Sequence, residues 1–218
     1  MEIRPEHNVK VFSRSSDFEA LLTSFGVIER GHFEYKKVAA DGTRMRGEYY
    51  INFRMLNTKQ EMELAALYWE AIRELFAEKQ QDIIIVGVAY ATIAFAKLVQ
   101  TLGFEKSGIE YAYAEKRDGK LGLYDAQAKK CAGKHVLFIE DVCNNGASLS
   151  ELSGYCEANK EQLGIKGYSV LYGVHRGHTF PQIPQGEIYA MSVIYAPAYH
   201  VSELPPEIAA LPLKAYKK

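Results

Sequence analysis

Cysteine is scarce in this chain. Cys131, Cys143 and Cys156 are the whole set, and no two stand at the CxxC spacing of a redox or zinc motif. An odd number of thiols, with no secretory leader at MEIRPEHNVK, argues for reduced cysteines and a cytoplasmic location. An excess of one charge is lacking too. The 26 basic and 27 acidic residues leave a net charge of −1, so there is no global field for nucleic acid. No apolar run is long enough to cross a bilayer, which excludes a membrane-spanning role by helices. Internal repeats and low-complexity linkers are absent, and His200 and Glu203 lack metal-ligand spacing.

What is present is a hydrophobic share of 48% over 218 residues, enough for one core with a small extension. The organising stretch is Lys134 to Leu152, KHVLFIEDVCNNGASLSEL. His135 to Ile139 is a short apolar run without alternation, as in a central strand covered on both faces. Glu140 and Asp141 follow, where the strand is expected to leave the sheet. Neighbouring carboxylates repel and are costly to bury, so water, a metal or hydroxyls must answer them. Asn144, Asn145, Gly146, Ala147 and Ser148 then form a turn that can aim successive N–H groups at one point, ahead of a helix from Leu149. An ordinary strand–turn–helix junction is the plainer alternative.

The rest of the chain alternates strands and helices. Residues 17–30 read as an amphipathic helix broken near Gly26, with Asp17 as its N-cap. From Gly31 to Asn57 a hairpin is expected, turning at Asp41-Gly42; its Lys36, Lys37, Arg44, Arg46, Tyr49 and Tyr50 suit a planar anion or simply a solvated face. Helix 57–80, strand Asp82–Val88, a loop Gly87–Thr92, helix Ile93–Leu102 and strand Ile109–Ala114 follow. The charged segment after Ala114 has no apolar period and reads as an exposed, mobile lid. Helix 149–163, strands 167–174 and 188–195, and a short helix near Pro206–Leu211 complete the pattern. It predicts an α/β fold: an open, mainly parallel sheet with helices on both faces, and ligand loops at the carboxyl ends of its strands.

The run E-D-V-C-N-N-G-A-S-L, from Glu140 to Leu149, resembles the 5-phosphoribosyl 1-pyrophosphate (PRPP) signature of type I phosphoribosyltransferases. Gly31-His32-Phe33-Glu34-Tyr35-Lys36, Tyr49-Tyr50-Ile51-Asn52, GVAYATIA from Gly87 and His175-Arg176 are similar to segments of the orotate phosphoribosyltransferases. The resemblance implies the type I phosphoribosyltransferase fold with an N-terminal hood: residues 1–56 the hood, 57–200 the core, and 201–218 a tail packing on the hood. It implies that orotate displaces pyrophosphate from PRPP to give orotidine 5′-phosphate, in pyrimidine biosynthesis. Glu140 and Asp141 would hold the ribose hydroxyls and act in catalysis with Lys116. The motif from Val142 and Cys143 through Asn144, Asn145, Gly146, Ala147 and Ser148 would wrap PRPP, joined by Tyr90, Ala91, Lys116 and Lys120. Lys36, Tyr50, Ile51, Asn144 and Arg176 would take the base. Mg2+ would ride on PRPP oxygens with no direct protein ligand, and a homodimer is implied. In this chain Ala91 stands where the family has Lys, Glu115 where it has Arg, and Leu121-Gly122 where it has His-Gly. Two alternatives therefore stay open: transfer to another base, and a regulator that binds PRPP or nucleotide without chemistry.

Overall fold

The computed structural model describes residues 2–4, 9–77, 82–144, 146–176 and 186–215, with backbone only at 2–4, 89–91, 105, 106 and 186. Strands β1 (Glu2–Arg4) and β2 (Val9–Val11) precede helix α1 (Ser15–Ser24). Next come β3 (Ile28–Val38), β4 (Arg44–Ile51), α2 (Thr58–Leu75), β5 (Ile83–Val88) and α3 (Ala89–Ser107). Then follow β6 (Glu110–Arg117), β7 (Lys120–Gly122), α4 (Asp125–Cys131), β8 (His135–Cys143), α5 (Ala147–Ala158) and α6 (Lys160–Leu163). The chain closes with β9 (Gly167–His175), β10 (Gly186–Val193), α7 (Pro206–Ala209) and β11 (Leu213–Lys214).

Eight strands form the larger sheet in the order β1-β2-β10-β9-β8-β5-β6-β7. The six inner strands are parallel, and only the edge strands β1 and β7 run antiparallel to their neighbours. The period-2 alternation of the strands sorts their side chains into two cores. Ile83, Ile85, Leu137 and Ile139 pack with α1, α2 and α3 on one face. Ile84, Val86, Val136 and Phe138 pack with α4, α5 and α6 on the other. This is the open parallel α/β sheet that the strand–helix alternation predicts. The strongest helix, α2, starts at a capping box in which the Asn57 side chain accepts from the Gln60 amide and the Gln60 side chain accepts from the Asn57 amide.

A second, three-stranded sheet in the order β11-β3-β4 stands over the carboxyl end of the first. Its hairpin turns where Asp41-Gly42 predicts, with Gly42 at φ +85° and the Asp41 carboxylate accepting from the Thr43 amide. β11 adds in parallel to β3, Leu213 opposite His32 and Lys214 opposite Phe33, and Lys214 also pairs with Glu29. The hood strands thus come from 28–51 and 213–214, whereas β1 and β2 join the larger sheet and α1 packs on β10 and α2. The hood expected over 1–56 is narrower than that, because Val9 and Val11 bury in the larger sheet's core.

Three local expectations are corrected. Helix α1 begins at Ser15, and Asp17 lies in its first turn, where its carboxylate meets the Arg14 guanidinium at 2.7 Å. The segment after Ala114 is not an open lid: β6 runs on to Arg117, turns tightly, and returns as β7. Asp118 (φ +50°) and Gly119 (φ +78°) supply the two left-handed residues of such a turn, and Leu121, Leu123 and Cys131 bury beneath it. The loop expected over Gly87–Thr92 is absent as well. Helix α3 begins at Ala89, directly after the strand, and the buried Thr92 hydroxyl donates to the Val88 carbonyl.

Candidate active site

The strands β5, β8 and β9 end side by side under the hood. On β8 the acidic pair does not stand beyond the sheet, as its sequence suggests. Pairing with β9 continues through Glu140, Val142 and Cys143, opposite Tyr172, Val174 and His175. Adjacent residues of a paired strand face opposite ways. Glu140 therefore looks toward α5, near Ser148 and Tyr172, and Asp141 looks toward α2 and the hood, near Tyr68 and Arg54.

Burial pushes the Glu140 carboxyl up to about 7; the Asp141 charge adds to the rise, and the Ser148 and Tyr172 hydroxyls oppose it. Asp141 is raised too, by burial, against the pull of the Val142 amide, which donates to its Oδ1 at 2.7 Å, and of the Arg54 charge. Two half-desolvated carboxylates at one strand tip cost free energy that hydroxyl donors or a cation would return. The fit beneath them is close. A Cβ on Gly173 would fall 2.4 Å from the Tyr68 hydroxyl, 2.7 Å from the Asp141 carbonyl and 2.9 Å from the Phe53 ring. Tyr68 is fully buried, and among the described residues its hydroxyl has no hydrogen-bond partner.

After β8 the chain turns through Asn144 to Gly146, whose φ of +68° places it as the left-handed N-cap of α5. Asn145 lies outside the described residues. Ala147 and Ser148 open the helix, Ala147 exposed and Ser148 half-buried. Cys143 departs from the expected ligand contact: it is 1% exposed, and burial holds its thiol up at about 12, so its side chain belongs to the core. Only its backbone faces the turn, its carbonyl accepting from the Arg176 amide at 3.3 Å.

Between hood and sheet lies a cleft of about 420 Å³. Lys36, Tyr50, Ile51, Asn144 and Arg176 line it together, with Val142 at its floor. These five are the residues singled out for a base, drawn from β3, β4, the β8 turn and the end of β9. Tyr50 stacks on the buried Phe33 ring at 5.5 Å. Lys36 and Lys37 are exposed, and among the described residues neither makes an ion pair. Arg176 is more committed. Its Nη1 donates to Asn144 Oδ1 at 2.9 Å, and its Nη2 to the Ala196 carbonyl at 2.6 Å and the Tyr35 hydroxyl at 3.1 Å. Tyr35 itself donates to the Tyr49 carbonyl at 2.7 Å, and Gly47 leaves room for its phenol, since a Cβ there would lie 2.3 Å away. Arg176 therefore ties the β8 turn to the hood.

The remaining expected residues are not gathered here. Lys116 leans on Glu151 of α5 at 3.9 Å, and Lys120 is exposed at the hairpin turn. Tyr90 and Ala91 occupy the first turn of α3 at the end of β5, and their side chains lie outside the described residues. Sequence reasoning missed Tyr68, Tyr172 and Arg54 beside the acids. The register of β9 against β8 brings Tyr172 to Glu140, a pairing between distant segments, and nothing local marks Arg54 or Tyr68. Among the described residues no group of three or more His, Cys, Asp or Glu could hold a metal, and no helix is long and apolar enough to cross a membrane.

No protein-family profile matches the chain, and no curated protein matches it by sequence. Solved structures do match. The orotate phosphoribosyltransferase of Francisella tularensis superposes with a TM-score of 0.54 and 23% identity, over 81% of this chain and 82% of that one. The orotate phosphoribosyltransferase of Aeropyrum pernix gives a TM-score of 0.52 and 18% identity, over 80% of this chain and 92% of that one. The chain thus has the α/β phosphoribosyltransferase fold.

Proposed function

We propose that this chain, folded as a phosphoribosyltransferase, transfers the phosphoribosyl group of PRPP to a nitrogen base, with orotate as the leading acceptor. The observation that carries the reading is the cleft in which Lys36, Tyr50, Ile51, Asn144 and Arg176 converge beside the Glu140–Asp141 tip. In the reaction the bond from C1′ to the pyrophosphate oxygen breaks, and pyrophosphate leaves with the electron pair. A bond from C1′ to the ring nitrogen forms, and that nitrogen gives up its proton. Positive charge gathers on the sugar in between, and ionised Glu140 and Asp141, one from each face of the strand tip, would stabilise it. They would also accept from the ribose hydroxyls, while the turn from Asn144 to Ser148 offers amide donors to the 5-phosphate.

With no group of three or more metal-ligating side chains among the described residues, a Mg2+ ion would ride on PRPP oxygens, and when bound it would screen the pyrophosphate charge. Lys36 and Lys37 would meet the negative charge of the base, and Tyr50 would lie against its face. Loss of orotate absorbance on mixing purified protein with PRPP and Mg2+ is the expected result. No turnover, together with no rescue of a pyrimidine auxotroph, would reject it.

One observation favours a second reading, transfer to a base without a carboxylate. Both Nη groups of Arg176 are already bonded within the chain, and a two-point carboxylate grip would have to displace Asn144. A panel of purines and pyrimidines scored for pyrophosphate release separates the two; turnover of orotate alone removes the second. A regulator that binds without chemistry remains the outcome if calorimetry finds PRPP bound and no base turned over.

A further inference from the structure

Pyrophosphate carries several negative charges, and the cations nearest the acidic tip are mostly spoken for. Lys116 leans on Glu151, Arg117 pairs with Glu115 and Asp125, and Arg176 is held by Asn144, Tyr35 and the Ala196 carbonyl. Lys36 and Lys37 stand on the base side of the cleft. Arg54 is different. It sits on a single 3-10 turn, Phe53–Met55, which carries the chain out of β4 just after Ile51 leaves the cleft wall. That turn is fixed at both ends: the Asn52 side chain accepts from the Arg54 amide at 3.1 Å, and the Asn52 amide donates to the Val27 carbonyl at 2.9 Å. The Phe53 ring is seated over Gly173, beside the Asp141 carbonyl. The neighbouring Arg54 is exposed, and among the described residues its side chain makes no hydrogen bond or ion pair, while its charge is felt at Asp141.

We infer that Arg54 is a pyrophosphate-binding residue, its guanidinium closing the mouth of the site on the Asp141 side and meeting the leaving group of PRPP. The inference rests on the phosphoribosyl-transfer reading above. A guanidinium suits this position because its planar fork can take two phosphate oxygens at once. On this inference it acts on the group that departs rather than on the ribose or its 5-phosphate, and it adds a cation to a tip that otherwise presents two carboxylates.

The test is calorimetric titration at pH 8, above the value of about 7 to which burial lifts Glu140, of Mg2+ with PRPP, with inorganic pyrophosphate and with ribose 5-phosphate. Arg54→Gln is expected to weaken PRPP and pyrophosphate about tenfold or more, as for loss of a charged hydrogen bond, and to leave ribose 5-phosphate within about twofold. Arg54→Lys should recover part of the loss for the first two ligands and, if the Gln variant does not fold, decides the question by the same pattern. Equal weakening of all three ligands would make Arg54 a support for Asp141 and overturn the inference, as would unchanged pyrophosphate affinity. Wild-type protein that binds neither PRPP nor ribose 5-phosphate would instead bring down the transferase reading, and the inference with it.

Discussion

At Glu140 burial and charge pull in opposite directions. Its carboxyl titrates near 7 in the folded chain, against about 4.3 for an unstructured glutamate. Between those values the folded protein holds a proton that the unfolded chain has released. The stability this gives is present below the unfolded value and is lost as pH rises through about 7. Wild-type stability should therefore fall from pH 5 to pH 8. Glu140→Gln should flatten that fall and gain about 2 kcal/mol at pH 8 by urea unfolding, while losing PRPP turnover. Parallel pH slopes in the two proteins would show that Glu140 is not the titrating group. Asp141→Asn keeps an oxygen for the Val142 amide, so its unfolding midpoint should stay close to wild type while PRPP use disappears. An unfolded variant would make that carboxylate structural. Arg176→Lys cannot reproduce three bonds from one plane. Its KM for the base should rise about tenfold or more, with the KM for PRPP changing less, as steady-state kinetics would read.

At the scale of elements, the β6–β7 hairpin and β9 are the informative cases. The hairpin was legible in principle: Asp118-Gly119 is a strong two-residue turn signal, but the charges around it hid the alternation that ends in Leu121 and Leu123. A bulky residue at φ +78° is strained, so Gly119→Val should open the hairpin at a cost of about 1 kcal/mol and expose Arg117 and Lys120 to trypsin. Equal cleavage rates in variant and wild type would mean that the segment is already open. On β9, Gly173→Ala would press a methyl on the Tyr68 hydroxyl and the Asp141 backbone, and about 1–3 kcal/mol of stability should be lost on urea unfolding. Strands β5, β8 and β9 were readable because they are continuous apolar runs buried on both faces. The end of β8 was misread because Glu140 and Asp141 look like a strand's exit, yet β9 carries the pairing two residues further.

For the whole molecule, local pattern carried the parallel sheet and the hairpin, and the five residues that the family resemblance singles out for a base line one cleft. What local pattern could not carry is anything made by distant partners. The pairing of β2 with β10, of β11 with β3, and the approach of Arg54 to Asp141 each join residues with no shared signal in the chain. The third strand of the hood has a further consequence during synthesis. A ribosome delivers β3 and β4 early and β11 only after the entire larger sheet has emerged. The nascent protein therefore holds a half-built canopy with an open ribbon edge on β3, and that edge, from His32 to Phe33, is the last part of the hood to be covered.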